Sequence, residues 1–312
     1  MKQKHLLLIY SLVFIVTAFW GLNIVIIKVL VEYLPPQTMT AFRLMMAGVT
    51  ALIVIILGKS SRRLSKKEWV YTLFGCVFGV ILHHGLIAVG LTMIDASNAS
   101  LILALVPLTT AILGVLFLGE QLTKLRVIGF ILALTGVFFI QGGSFNNMSL
   151  SQGELILFIA MLVQAISFIF VRKATETLDS KQVTTIMYLA GSIGLLIISF
   201  ITEPGGVSEM TSAPSFIYFL FVVSGLVATG IGYIVFNAAI QQIGAGPTAI
   251  FNNFVPFFGL VFSALFLNET IKNSQLIGFA FIVAGVLFGT GYIEKLREKK
   301  HKRINHTKKG AG

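Results

Sequence analysis

The stretch VPLTTAILGVLFLGE at residues 106–120 returns as VPFFGLVFSALFLNE at residues 255–269, and the reading of that pair decides the fold. The correspondence runs on through Ile128-Gly129-Phe130 and Gly136-Val137, which return as Ile277-Gly278-Phe279 and Gly285-Val286. One ungapped offset of 149 positions matches 12 identical residues between Leu101 and Ile140. Two apolar helices match Leu and Phe by chance. They do not match a proline, a glutamate and two glycines in one register, so the chain contains an internal duplication. A fainter trace extends it: Tyr71, Leu73, Phe74 and Gly85 return as Tyr218, Leu220, Phe221 and Gly232, at an offset of 147.

Both copies lie in strongly apolar surroundings. Of 312 residues, 56% are hydrophobic and 11% charged, with a mean hydropathy of +0.92. Soluble domains carry roughly 45–50% apolar and about 25% charged residues, so the expected class is an all-α integral membrane protein. A bilayer core of about 30 Å takes roughly 20 apolar residues per helix. Ten segments meet that length: 6–31, 37–57, 69–91, 96–118, 125–142, 153–172, 183–202, 214–238, 244–267 and 274–293. The first is too long for a signal-peptide core and lacks a small-x-small cleavage site, so it reads as a retained helix. Cys76 is the single cysteine, which excludes a disulfide framework and a thiolate metal site within one chain.

The net charge of +11 does not point to nucleic acid, because the basic residues sit in short loops and in the tail from Lys295 to Lys309. With the N-terminus inside, the inner loops carry Lys59, Arg62, Arg63, Lys66, Lys67, Lys124, Arg126, Arg172, Lys173 and Lys181. The outer loops carry Glu32, Asp95, Glu154, Glu203 and Glu209, with Lys272 their one basic residue. This bias predicts both termini in the cytoplasm. Five helices per repeat then make residues 1–146 and 147–293 two inverted five-helix repeats, followed by a basic tail at 294–312. Inverted repeats suit secondary carriers, whose two halves exchange roles about a central site.

Candidate site residues are the polar and helix-breaking groups within the spans. Pro107 and Pro256 fall midway along the fourth and ninth, each freeing a carbonyl, that of Leu103 and that of Asn252. Matched breaks at the midplane point to a binding site, although a proline also serves as a packing kink. Asn252, Pro256, Gly259 and Ser263 share a helical face, as do Pro107, Thr110 and Gly114. Gly230, Tyr233 and Asn237 share one in the eighth span; Trp20 and Asn23 stand in the first and Gln164 in the sixth. Small and polar residues also serve plain helix packing. Arg43 and Lys28 are the basic side chains inside spans. Such charge costs at least about 2.5–3.5 kcal/mol at the bilayer centre, so each either contacts an anionic substrate group or snorkels to the interface. His83 and His84 cannot both face a cavity squarely; one is a candidate proton carrier and the other a packing residue. No carboxylate or thiol accompanies them at metal-ligand spacing, and no metal or cofactor is expected. Glu120 and Glu269 read as partners of a helix N-terminus, which leaves no Asp or Glu deep in any span.

These residues together resemble the drug/metabolite transporter superfamily, in particular its ten-helix EamA-type transporters. The resemblance covers nearly the whole chain and rests on two copies of Pro–(x)12–Glu–(x)8–Gly–(x)6–Gly, at 107/120/129/136 and 256/269/278/285. It implies a carrier in the plasma membrane, of the bacterial inner-membrane kind, with a cavity lined by helices one, three, four, six, eight and nine. It also implies a small-metabolite substrate such as an amino acid, often moved outward; a coupling proton, for which a histidine is the candidate carrier, or a counter-substrate is a separate expectation. The family commonly has aromatic residues where this chain has His83 and His84. The small multidrug branch uses a glutamate in its first helix, which is absent here. The competing readings are an exporter of hydrophobic drugs, and a scaffold or homodimer associating through faces such as Gly285-x-x-x-Gly289. No GxSxG, HExxH or P-loop pattern supports an enzyme or an ATP-driven pump.

Overall fold

The computed structural model describes residues 2–58, 61–119, 121–140, 150–243, 248, 251–291 and 293–294, and among these the regular structure is helical. The chain opens with α1 (Lys2–Tyr33), α2 (Pro36–Gly58) and α3 (Lys66–Leu91). It continues through α4 (Ala96–Leu103), α5 (Val106–Leu118), α6 (Lys124–Ile140), α7 (Gln152–Ala174) and α8 (Ser180–Thr202). A short α9 (Gly206–Glu209) precedes α10 (Ser215–Val222), and a π-helix at Val223–Ile231 leads into α11 (Gly232–Ile243). The last elements are α12 (Phe254–Leu267) and α13 (Asn273–Gly289).

Seven helices are long and apolar enough to cross a membrane by length and composition. Three further apolar helices, α6, α12 and α13, are 17, 14 and 17 residues long. Large apolar side chains stand on the outer faces, Leu57 at 78%, Ile201 at 76% and Leu134 at 71% exposure. Such surfaces are tolerable against lipid and not against water. The chain is a multi-pass membrane protein.

Local sequence explains the helix ends. Pro36 begins α2 where a missing N–H costs nothing. The next two amides, of Gln37 and Thr38, donate to the Glu203 carboxylate at 2.8 Å each, and Met39 N donates to the Pro35 carbonyl. Every free donor of that helix start is thereby satisfied. Glu269 does the same for α4, accepting from Ala96 N at 2.8 Å and Ser97 N at 2.9 Å. The carboxylate expected at a helix start is thus found there, although the helix is α4 and not the one that follows it in the chain. Glu120 lies outside the described residues.

The prolines behave differently from the mid-helix breaks the sequence suggested. The fourth span opens at Ala104–Leu105, and Pro107 sits in the first turn of the new helix α5. Pro256 likewise sits in the first turn of α12, after a 3-10 turn at Phe251–Asn253. A proline in a first turn removes no ladder bond, so each starts a helix rather than kinking one.

The described contacts form two compact units, residues 1–106 with 150–271, and residues 107–149 with 272–312, each drawing on both halves of the sequence. In the first, α1 crosses α12 at Gly21, where a Cβ would stand 2.7 Å from the Val255 carbonyl oxygen. There too α2 packs on α8, and α3 on α7. In the second unit α6 packs on α13 through the duplicated glycines. A Cβ on Gly136 would meet the Gly278 carbonyl oxygen at 2.7 Å, and one on Gly278 would meet that of Gly136 at the same distance. Gly285 faces the Gly129 carbonyl and Gly289 faces the Leu108 side chain. The Gly285–Gly289 face, expected as a surface for a second chain, is therefore covered by α6 and α5 of its own chain.

Candidate functional site

Arg43 stands two turns into α2 and is 1% exposed. Its Nη1 donates to Thr229 Oγ1 at 3.2 Å, while its Nε is buried without a hydrogen-bond partner. The Thr229 hydroxyl donates onward to the Ser224 carbonyl at 2.8 Å, five residues back, which is the register of the π-helix both occupy. Ser224 Oγ in turn donates to Asn23 Oδ1 at 2.5 Å. Among the described residues no carboxylate is paired with Arg43. A buried charge without a counter-ion costs several kcal/mol. The guanidinium is packed among helices and does not extend along the surface. Lys28 differs: its Nζ donates to the Leu91 carbonyl at 2.9 Å, closing the negative end of α3.

A run of aromatic rings passes beside the guanidinium. His83 and His84 have ring centroids 4.9 Å apart, and His84 lies 6.3 Å from Tyr188. Tyr188 lies 5.7 Å from Tyr233, which lies 5.3 Å from Trp20. Trp20 is fixed by donation from Nε1 to the Ala228 carbonyl at 2.8 Å, again inside the π-helix. A second π-helix, Val77–Leu82, immediately precedes His83. Shifted by the offset of 147, it falls within Val223–Ile231. A π turn turns later side chains away from the face a regular helix would give them, and both such turns here lie next to the polar groups.

A narrow cleft, partly open to the exterior, runs along α2 toward this group. From α2 it is lined by Ala47, Ala51 and Val54, from α8 by Lys181, Thr184 and Tyr188, and from the π-helix and α11 by Thr229, Gly230, Tyr233 and Ile234. Arg43 is not itself among the lining residues; it reaches the cleft through its hydrogen bond to Thr229, which is one of them.

The remaining candidates are placed as follows. His83 is 8% exposed and bonds through Nδ1 to the Ala160 carbonyl at 2.8 Å, a contact that holds α3 on α7. Gln164 lies one turn beyond Ala160, between that contact and the Ser167 bond to the Gly75 carbonyl, with its Oε1 buried and unpartnered. Asn252 Oδ1, in the 3-10 turn before Pro256, is buried and unpartnered too. Pro107 and Thr110 belong to the second unit, on α5. The side chain of Asn237 lies outside the described residues. Sequence reasoning passed over Tyr188, Ser224 and Thr229, and read Lys181 only as a loop charge. A hydroxyl in an apolar helix carries no spacing signal, and the i, i+5 register that joins Ser224 to Thr229 is invisible to a 3.6-residue period.

Residues 7–142 and 151–290 each match the EamA-like transporter family. The chain is 29% identical over 298 residues to the "uncharacterized transporter YyaM" of Bacillus subtilis (strain 168), covering 93% of this chain and 96% of that one. It is 27% identical over 290 residues to a "probable amino-acid metabolite efflux pump" of Salmonella typhimurium (strain LT2), covering 88% and 92%. A solved crystal structure superposes with a TM-score of 0.65 at 16% identity, over 94% of this chain and 99% of that one, a likeness of fold. The two family matches tile almost the whole length in the segments where the sequence repeats, and the chain belongs to the EamA-like transporter family of the drug/metabolite transporter superfamily.

Proposed function

We propose that the protein is a secondary carrier that exports a small metabolite, of the amino-acid class or a related compound, across the plasma membrane by alternating access. The observation that carries this reading is Arg43, buried, with no carboxylate partner among the described residues, and bonded to Thr229, which lines a cleft with Tyr188 and Tyr233. A site of that kind orients one polar group of a small ligand while the walls take up its apolar part.

The direction is inferred from where Lys181 stands. The cleft is lined at one end by Lys181, in the basic connection between α7 and α8 that the charge bias assigns to the cytoplasm, as it does both termini. The opposite ends of α2 and α4 are held by Glu203 and Glu269. A cleft bordered by Lys181, together with fastened helix starts at the opposite ends, suits a carrier that loads from inside. The two π-helices supply backbone that can change register, and the inverted repeats supply the symmetry that alternation requires. The Salmonella relative's name supports an amino-acid metabolite as cargo.

The test compares metabolites released by cells overproducing the protein with those released by cells lacking it. Overproduction raises the external level of a small set of compounds. Arg43→Ala, inserted at the normal level, reduces that excess about tenfold or more, the factor expected for losing a charged contact of at least 1.4 kcal/mol. Equal release from both strains would refute the carrier reading.

A further inference from the structure

We propose that the cleft admits an organic anion, a small carboxylate with an apolar body and no balancing ammonium, received at Lys181 and held at Arg43. This rests on the carrier reading above and narrows its cargo from the amino-acid class to related carboxylates that lack the ammonium.

Lys181, Thr184 and Tyr188 stand at i, i+3 and i+7 on α8, so one helical face carries a cation at the mouth of the cleft and a phenol at its depth. Seven residues of helix span about 10 Å, which sets the length of the path. At its end, Arg43 is bonded to Thr229, which forms the wall. Their 3.2 Å bond is at the long end of the hydrogen-bond range, whereas a guanidinium and a carboxylate meet at about 2.7–2.9 Å. A carboxylate that displaces the Thr229 hydroxyl therefore gains a stronger partner and supplies the missing counter-charge.

The sign of the lining selects the cargo. Its polar groups are an ammonium, hydroxyls and phenols, all of which can donate to a carboxylate, and no acidic side chain is among them. The ammonium of a zwitterion would leave water without meeting a fixed negative charge, and would stand near two cations. Specificity here comes as much from that repulsion as from the attraction at Arg43. Ala47, Ala51, Val54 and Ile234 supply the apolar part of the lining, and the Tyr188 and Tyr233 rings, 5.7 Å apart, stand beside them.

The experiment uses the full chain in detergent with Trp69→Phe, which leaves Trp20, 5.3 Å from the Tyr233 ring, as the one tryptophan. Its emission is followed on titration with 3-phenylpropionate and with phenylalanine, which differ only by the α-ammonium. The expected result is a saturable change with 3-phenylpropionate at an affinity about tenfold or more above that for phenylalanine. Lys181→Gln weakens it by about three- to tenfold and flattens its dependence on salt, because a half-buried charge still acts partly at screened range. Lys181→Arg restores both. Arg43→Gln abolishes the signal, while Arg43→Lys, which keeps the charge and controls for folding, retains part of it. Phenylalanine binding as tightly as 3-phenylpropionate overturns the choice of anion and leaves the carrier reading standing, since metabolite release tests that separately. Unchanged affinity and salt dependence in Lys181→Gln, or no binding of either compound, overturns the path from Lys181 to Arg43.

Discussion

Replacing Glu203 with alanine removes the acceptor of three hydrogen bonds at the start of α2, from Gln37 N, Thr38 N and Thr38 Oγ1, each 2.8 Å long. Hydrogen bonds to a charged group are worth about 1.5–3 kcal/mol each when fully buried, so a simple sum would exceed 4 kcal/mol. Glu203 is only half-buried, and water can take over the freed amides, which brings the loss down to that of a strong helix cap, about 2 kcal/mol. At about 1.4 kcal/mol per factor of ten, local opening of that turn becomes about 30 times more frequent. Amide hydrogen exchange over residues 36–40, measured by mass spectrometry in detergent, reads this directly, with Gln37 and Thr38 losing protection while the middle of α2 keeps it. Glu203→Gln retains one carbonyl oxygen and falls between wild type and alanine. Exchange that stays within a factor of about two of wild type in Glu203→Ala would show that the carboxylate does not fasten α2.

Two further substitutions test the packing. Gly285→Ala places a Cβ 2.7 Å from the Gly129 carbonyl oxygen and the Ala133 amide nitrogen; backbone cannot give way as a side chain can, so the expected destabilisation is about 1–3 kcal/mol, read as a lower thermal midpoint in detergent. An unchanged midpoint would mean that α6 and α13 do not meet there. Glu68 accepts from Arg62 Nη1 at 3.0 Å, Arg62 Nη2 at 2.5 Å and Thr177 Oγ1 at 2.6 Å. These bonds hold the guanidinium of Arg62, whose pKa they raise, against the turn after α7. Glu68→Ala is expected to expose Arg62 and Arg63 to trypsin and speed cleavage there, and a wild-type digestion rate would count against that fastening.

What the sequence made legible is what backbone contact enforces. The proline, glutamate and glycines of the two copies stood out because they matched in register among residues that match by chance. The structure gives each class a reason. Gly136 and Gly278 face each other's carbonyl oxygens, where any side chain would collide. Glu269 closes the free amides of α4, a task that needs an acceptor at one spot. Pro107 and Pro256 begin helices, where the absent N–H is harmless. The exact point of breakage at Ala104–Leu105 was not readable, because an apolar run gives a helix and a broken helix the same composition.

The site was less legible because its residues are identified by what covers them. Arg43 at its depth in α2 is equally consistent, in sequence, with snorkelling and with an interior contact. The choice is made by Thr229, 186 positions away, which the π-helix brings to the guanidinium at a register no helical period predicts. The same holds for the two histidines, adjacent and chemically identical until α7 supplies the Ala160 carbonyl to His83 and α8 supplies the Tyr188 ring to His84. Elements that pack backbone to backbone leave a mark in one copy that the other copy repeats. Side chains that meet across helices, such as Arg43 and Thr229, leave none, since at the offset of 147 their counterparts are Ala190 and Leu82.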